Sequence, residues 1–205
     1  MTTNSAPIVA PTATSALSVA SSVSTPLKTA APPLRVAFTG HAGSGKTTQA
    51  KLLQQKFKGD ILSFASPLKK VTREIFEDRM DDGAFARVAN QEVGVLARRL
   101  AGPDIWVNKL LAKVSENRNC YVDDVRFMSE VDALRRRGFV IIKLVAGMPA
   151  LAARRPDMAP SHWAHESETS VDMLRTDLVV NTDGPTPEEA HAHIVAWLKE
   201  RRLVR

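Results

Sequence analysis

The sequence predicts an α/β fold, a five-stranded parallel sheet with helices on both faces, and three observations predict it. Five short apolar runs alternate with stretches of helical periodicity, the pattern of a sheet buried on both sides. Residues 40–47, Gly-His-Ala-Gly-Ser-Gly-Lys-Thr, fit G-x-x-x-x-G-K-[ST], the phosphate-binding P-loop. The motif stands between the first apolar run and the first helical stretch, where such a loop has to be for its amides and the helix N-terminus to meet an anion.

The elements follow in order. The first strand is expected over 35–39, around Val36-Ala37-Phe38. Helix 47–58 places Ala50, Leu53 and Phe57 on one face and stops at Gly59. Strand 60–64 leads to helix 66–77, with Ser66 as N-cap and Pro67 at the first helical position. Helix 84–100 ends at Gly102-Pro103. Helix 104–116 begins with Asp104 as an acidic cap and turns Ile105, Leu110 and Leu111 or their neighbours inward. Strand 120–123, helix 129–137 stopping at Gly138, strand 139–145 and strand 177–180 complete the sheet. Between the last two strands, Leu151–Arg155 precedes an irregular, proline-rich stretch, 156–161, read as a lid. Thr186-Pro187-Glu188-Glu189 is a capping box with proline at N1. It opens a last helix with the stripe Ala190, Ile194, Trp197 and Leu198. There is no internal repeat.

Residues 1–34 are of another kind. Ser, Thr, Ala and Pro fill 24 of these 34 positions, and Lys28 is the only charge. Such a segment buries too little apolar surface to offset its ordering entropy and is expected to be a disordered tail ahead of one domain, 35–205. It lacks the basic start and apolar core of a signal peptide. It is Ser-rich and acid-free like a transit peptide, but has no Arg. No apolar stretch approaches a membrane span. The single Cys120 excludes an internal disulfide and suits the cytoplasm. A net charge of +6 favours anionic partners. With 5% aromatics and no basic patch interleaved with them, nucleic acid is not the expected one.

Chemistry is sought beyond the carboxyl ends of the strands, where parallel sheets bind ligands. Lys46 reaches the β- and γ-phosphates of a nucleoside triphosphate and the Thr47 hydroxyl serves Mg²⁺. Lys69, Lys70 and Arg73 follow the second strand, Asp123, Asp124 and Arg126 the third, Arg154 and Arg155 the fourth, and Asn181 and Thr182 the fifth. Tyr121-Val122-Asp123-Asp124 reads as an apolar strand ending in a metal-binding acid. Asp124 is preferred, as the carboxylate at the strand tip; the plainer alternative is a loop acid or helix cap. Arg126 suits a substrate phosphate held bidentately, or else a surface pair with Glu130. Arg154 and Arg155, on the lid, suit charge developing on a transferred phosphoryl group, or else a solvated helix end. His162, His165, Glu166 and Glu168 fit no zinc spacing and read as hydrogen bonding in and below the lid. No serine triad or thiol nucleophile is evident. Many cations and no obvious base favour a phosphate acceptor, which is already ionised, over an alcohol.

The P-loop continues Gly40-x-x-Gly43-x-Gly45-Lys46-Thr47-Thr48-Gln49, which looks like the adenylate-kinase type. Phe64-Ala65-Ser66-Pro67-Leu68-Lys69, Gly102-Pro103-Asp104-Ile105-Trp106-Val107, Asp124-Val125-Arg126-Phe127-Met128-Ser129-Glu130 and His165-Glu166-Ser167-Glu168 resemble the phage-type deoxynucleoside monophosphate kinases over about 35–200. Ser129 departs from that pattern, where asparagine is more usual, and 87–99 matches loosely. The resemblance implies a P-loop kinase core with a helical insertion for the monophosphate and a lid. It implies transfer from ATP, with Mg²⁺, to a deoxynucleoside 5′-monophosphate, in the cytoplasm, of a host if phage-encoded, by a monomer or homodimer. Gly40, Ala42, Gly43, Ser44, Gly45, Lys46, Thr47 and Thr48 then hold the donor phosphates, with Asn181 and Thr182 near the adenine. Lys69, Arg73, Arg98, Arg99 and Trp106 are candidates for the monophosphate side, and Arg126 for its phosphate. Arg154 and Arg155 close over the transferring group. A kinase of shikimate, gluconate or phosphomevalonate on the same core, or a regulatory NTP-binding protein, are the alternatives.

Overall fold

Val36 and Phe38 leave the first strand on one side and Ala37 on the other, and both sides are fully buried. A strand so placed must have helices above and below it, and it does. The computed structural model describes residues 32–205. The tail expected over 1–34 therefore lies outside the described residues up to position 31. Leu34 is already part of the fold. It is buried, its amide donates to Asn119 Oδ1 at 2.7 Å, and its carbonyl accepts from the Cys120 amide at 2.9 Å.

Strands β1 (Arg35–Thr39), β2 (Asp60–Leu62), β3 (Cys120–Val125), β4 (Val140–Val145) and β5 (Leu178–Asn181) form a parallel sheet in the order β2-β3-β1-β4-β5. Helices α1 (Lys46–Phe57) and α9 (Pro187–Glu200) cover one face, packing Ala50, Leu53, Ile194 and Leu198 on Val36, Phe38, Tyr121, Ile142 and Leu144. On the other face α4 (Ile105–Leu111) and α5 (Met128–Arg136) bring Trp106, Val107, Leu110, Val131 and Leu134 onto Ala37, Val122 and Ile141. The helices α2 (Ala65–Phe76) and α3 (Gly83–Ala101) pair beside the carboxyl end of the sheet. The short helices α6 (Met148–Arg154), α7 (Pro160–Trp163) and α8 (Glu166–Thr169) connect β4 to β5.

Several boundaries move for local reasons. Strand β2 ends at Leu62, and α2 starts at Ala65 with neither Ser66 nor Pro67 at the expected place. The Asp124 carboxylate caps it instead, accepting from the amides of Phe64 and Ala65, both at 2.8 Å, and from the Ser63 hydroxyl at 2.7 Å. Pro67 falls within the first turn, where no amide partner is needed. Helix α4 stops at Leu111 rather than 116. Its end tightens into three-residue turns that draw Val114 inward, while Arg35 takes the Ser115 carbonyl at 3.2 Å. Asp104 makes no side-chain cap there. Helix α3 is capped by Asp82, which accepts from Ala84 at 2.9 Å. The Thr186–Glu189 capping box and Pro187 at N1 stand as expected, with Val195 more deeply buried than Trp197.

Candidate active site

The P-loop's shape is set by backbone conformation. Gly40 has φ 130°, and a Cβ there would lie 2.1 Å from the Leu144 carbonyl oxygen. Gly45 caps α1 in the left-handed region, at φ 94°, with no side chain to satisfy the helix's first amides. Those amides are left for an anion. Lys46 is folded onto the loop, its Nζ 2.7 Å from the carbonyl oxygens of both Gly40 and His41. Burial, together with the cation of Arg126, brings its pKa down to about 7.

A cavity of about 610 Å³ runs from this loop to α2, α3 and α4. Ala42, Gly43, Gly45, Lys46, Thr47 and Thr48 line its donor end, and Lys69, Arg98 and Trp106 its far end, with Arg126 and Arg155 between. These expected site residues are therefore brought together. Trp106 is a buried wall whose Nε1 donates to the Gly94 carbonyl at 3.3 Å. The Arg98 guanidinium stacks 4.7 Å from the centre of the Phe127 ring.

Two of the residues expected on the substrate side are not brought into the cavity. Arg73 pairs with Asp81 at 2.6 Å and, like Arg99, lies outside the cavity. Spacing alone would put Arg73 on the face of the lining Lys69, one turn before it, but the ion pair with Asp81 draws its guanidinium to the far end of α2. Arg99 is displaced by one position from Arg98 and is exposed.

The acid beside Thr47 is not the one expected. Asp123, not Asp124, meets Thr47, whose hydroxyl donates to Asp123 Oδ2 at 2.7 Å. Side chains alternate along a strand. Tyr121 and Asp123 face α1, whereas Val122 and Asp124 face the helices opposite. Both oxygens of Asp124 are taken by the start of α2, and burial raises its pKa. Thr47 and Asp123 are a hard oxygen pair on the cavity wall and fit Mg²⁺.

Arg126 sits against the P-loop. Its Nη1 donates to the carbonyls of Gly40 at 3.3 Å and Ser167 at 3.2 Å and pairs with Glu168 Oε1 at 2.9 Å. Glu130 does not pair with its guanidinium. It accepts from the backbone amides of Arg126, at 2.7 Å, and Phe127, at 3.1 Å. Burial, aided by the charge of Asp124, pushes Glu130 up to about 7. Glu168 is the residue the sequence undersold. Its other oxygen accepts from the P-loop amide of Ala42 at 2.9 Å, and it lies 3.7 Å from His41 Nδ1. Burial opposes its charge, but the contact with His41, the charge of Arg126 and the Ala42 amide hold its pKa down to about 2.

The two lid arginines part company. Arg154 does not face the main cavity. It donates to the Thr182 carbonyl at 2.6 Å and the Gly43 carbonyl at 3.3 Å, across the outer side of the P-loop. There it lines a second cavity of about 270 Å³ with Ser44, Thr182 and Pro185–Pro187. Asn181 does not line it; its side chain turns back to the Asp183 amide at 2.8 Å. Arg155 faces the main cavity but is gripped by Asp157 at 2.7 and 2.8 Å, and Asp157 also holds Arg87 of α3 at 2.8 Å. His165 caps α8 by accepting from the Ser167 amide at 3.2 Å.

No family model matches the chain. A protein of Acanthamoeba polyphaga mimivirus described as a "Putative deoxynucleotide monophosphate kinase" is 27% identical over 192 residues, 78% of this chain and 94% of that one. Shikimate kinase from Acinetobacter baumannii, solved with shikimate, superposes with a TM-score of 0.51 over 84% of this chain and 96% of its own, at 12% identity. At that identity it speaks for the fold alone. By fold this is a P-loop kinase-type protein, and its sequence resembles the deoxynucleoside monophosphate kinases.

Proposed function

We propose that the chain is a kinase that transfers the γ-phosphoryl group of ATP to a deoxynucleoside 5′-monophosphate, in the cytoplasm. The observation that carries this reading is the placement of Arg126, in contact with the P-loop on one side and on the wall of the acceptor cavity on the other. One guanidinium there touches both phosphates of a transfer. In this reading the donor phosphates lie in the loop under Lys46. The adenine occupies the second cavity, between Arg154 and the turn after Thr182. Thr47 and Asp123 would hold Mg²⁺, which when bound would supply positive charge against the donor phosphates.

The chemistry asks for position and charge more than for a base. An oxygen of the acceptor phosphate, ionised at neutral pH, forms a bond to the γ-phosphorus as the bond to the β-bridging oxygen breaks. The leaving group is ADP. Arg126 orients the attacking phosphate. Lys46 and Arg155 offset charge on the transferring group, the latter once it leaves Asp157. The mimivirus relative's description supports the nucleotide acceptor.

A coupled assay measuring ADP release with each of the four dNMPs, shikimate, gluconate and phosphomevalonate tests the reading. Turnover with at least one dNMP is expected. Turnover confined to a non-nucleotide would overturn it.

A further inference from the structure

At the end of the main cavity away from the P-loop, two polar side chains, Lys69 and Gln91, have no partner among the described residues, and only Gln91 carries both a donor and an acceptor. Helix α3 presents Gln91, Gly94 and Arg98 to the cavity at helical spacing. Its neighbour Asn90 also lines the space but is held in place, accepting from the Thr72 hydroxyl at 2.7 Å and donating to the Ala86 carbonyl at 2.7 Å. Arg98 is stacked on Phe127. The Gln91 side chain makes no hydrogen bond among the described residues, although its amide carries two donors and an acceptor. Leu68, Gly94, Val95 and Trp106 line the same end of the cavity and are apolar there. Gly94 has no side chain, and a Cβ there would press on Leu68 at 3.2 Å, while Trp106 is pinned edge-on to the Gly94 carbonyl.

We infer that Gln91 is the base-reading residue of the acceptor site, pairing with the polar edge of a planar base that lies over Gly94. The inference rests on the nucleotide-acceptor reading above. A carboxamide turned by 180° exchanges its donor and its acceptor. Gln91 therefore complements either order in which a base presents the two, and the protein accepts more than one dNMP. A base with no pairing edge is rejected, because the amide would lose its water without replacement.

The test uses the full chain and all four dNMPs. Gln91→Leu keeps the bulk and removes the amide. It is expected to raise the KM for each accepted dNMP roughly tenfold, with the KM for ATP and the thermal midpoint nearly unchanged. Gln91→Glu leaves only acceptors. It is expected to reorder the acceptors, favouring dGMP, which offers two adjacent N–H donors, over dTMP, which sets a carbonyl beside its one. A merely structural glutamine would not reorder them. Unchanged acceptor KM values and order in both variants, with a wild type that uses dNMPs, would overturn this inference alone. A wild type that uses no dNMP would overturn the acceptor reading and this inference with it.

Discussion

Around the P-loop the site is built from backbone conformation, whereas across the cleft it is built from side chains carried on separate helices. On the donor side most of the shape comes from residues close together in sequence: three glycines, one lysine and one threonine. On the acceptor side Lys69, Gln91, Arg98 and Trp106 come from three helices and meet only because those helices pack. The first kind of site fails all at once when a residue changes. The second degrades by degrees. Between the two stands a hinge of charge, Arg126 and Glu168, which belongs to both.

The sharpest blow to the donor side is Lys46→Ala, expected to lower kcat about a thousandfold while the fold stays intact by circular dichroism. Near wild-type turnover would remove the P-loop from the mechanism. Glu168→Ala is next. It strands the Arg126 cation and the Ala42 amide in a buried place, and a loss of about 3 kcal/mol in a denaturant titration is expected. Arg126→Ala tests whether the hinge leans toward the acceptor. About a hundredfold loss in kcat/KM for the dNMP is expected, with ATP affinity changed much less. Equal losses for both ligands, by titration, would place it with the donor.

A pH series separates the two sides further. The folded-state pKa of Glu130, about 7, lies above its ordinary value, 4.5. Its stabilising contribution is therefore present below about 4.5 and lost as pH rises through 7. Glu130→Gln is expected to approach and then exceed wild-type stability as pH rises from 5 to 8, the change being on the order of 2 kcal/mol. A constant gap between the two melting curves would refute the shift. The smallest effect belongs to the acceptor wall. Trp106→Phe loses one hydrogen bond, and about 1 kcal/mol of stability is expected, read from the chemical midpoint.

The same contrast explains what could be read in the chain beforehand. The sheet, the P-loop and the Thr186–Glu189 cap were legible because each is local, written in neighbouring residues. Asp123 was misread as the lesser acid because the strand's alternation was not carried one residue past Val122. Ser66 was misread as a cap because its rival, Asp124, lies in another strand. Arg154 and Arg155 look alike in sequence, yet one turns to Thr182 and the other to Asp157. Adjacent residues at a helix end point in different directions, and only the packing decides which direction is the cleft. Glu168 lies 126 residues from the amide that it holds. No spacing rule reaches so far.

That separation also bears on the order in which the molecule is made. A ribosome releases Gly40 to Thr47 long before Glu168, so the nascent loop first exists with its Ala42 amide and Arg126 unanchored. Nucleotide capture is thus a property acquired only after Glu168, 126 residues beyond the Ala42 amide, has emerged. A prematurely terminated product has the P-loop motif but not the clamp that holds it in shape.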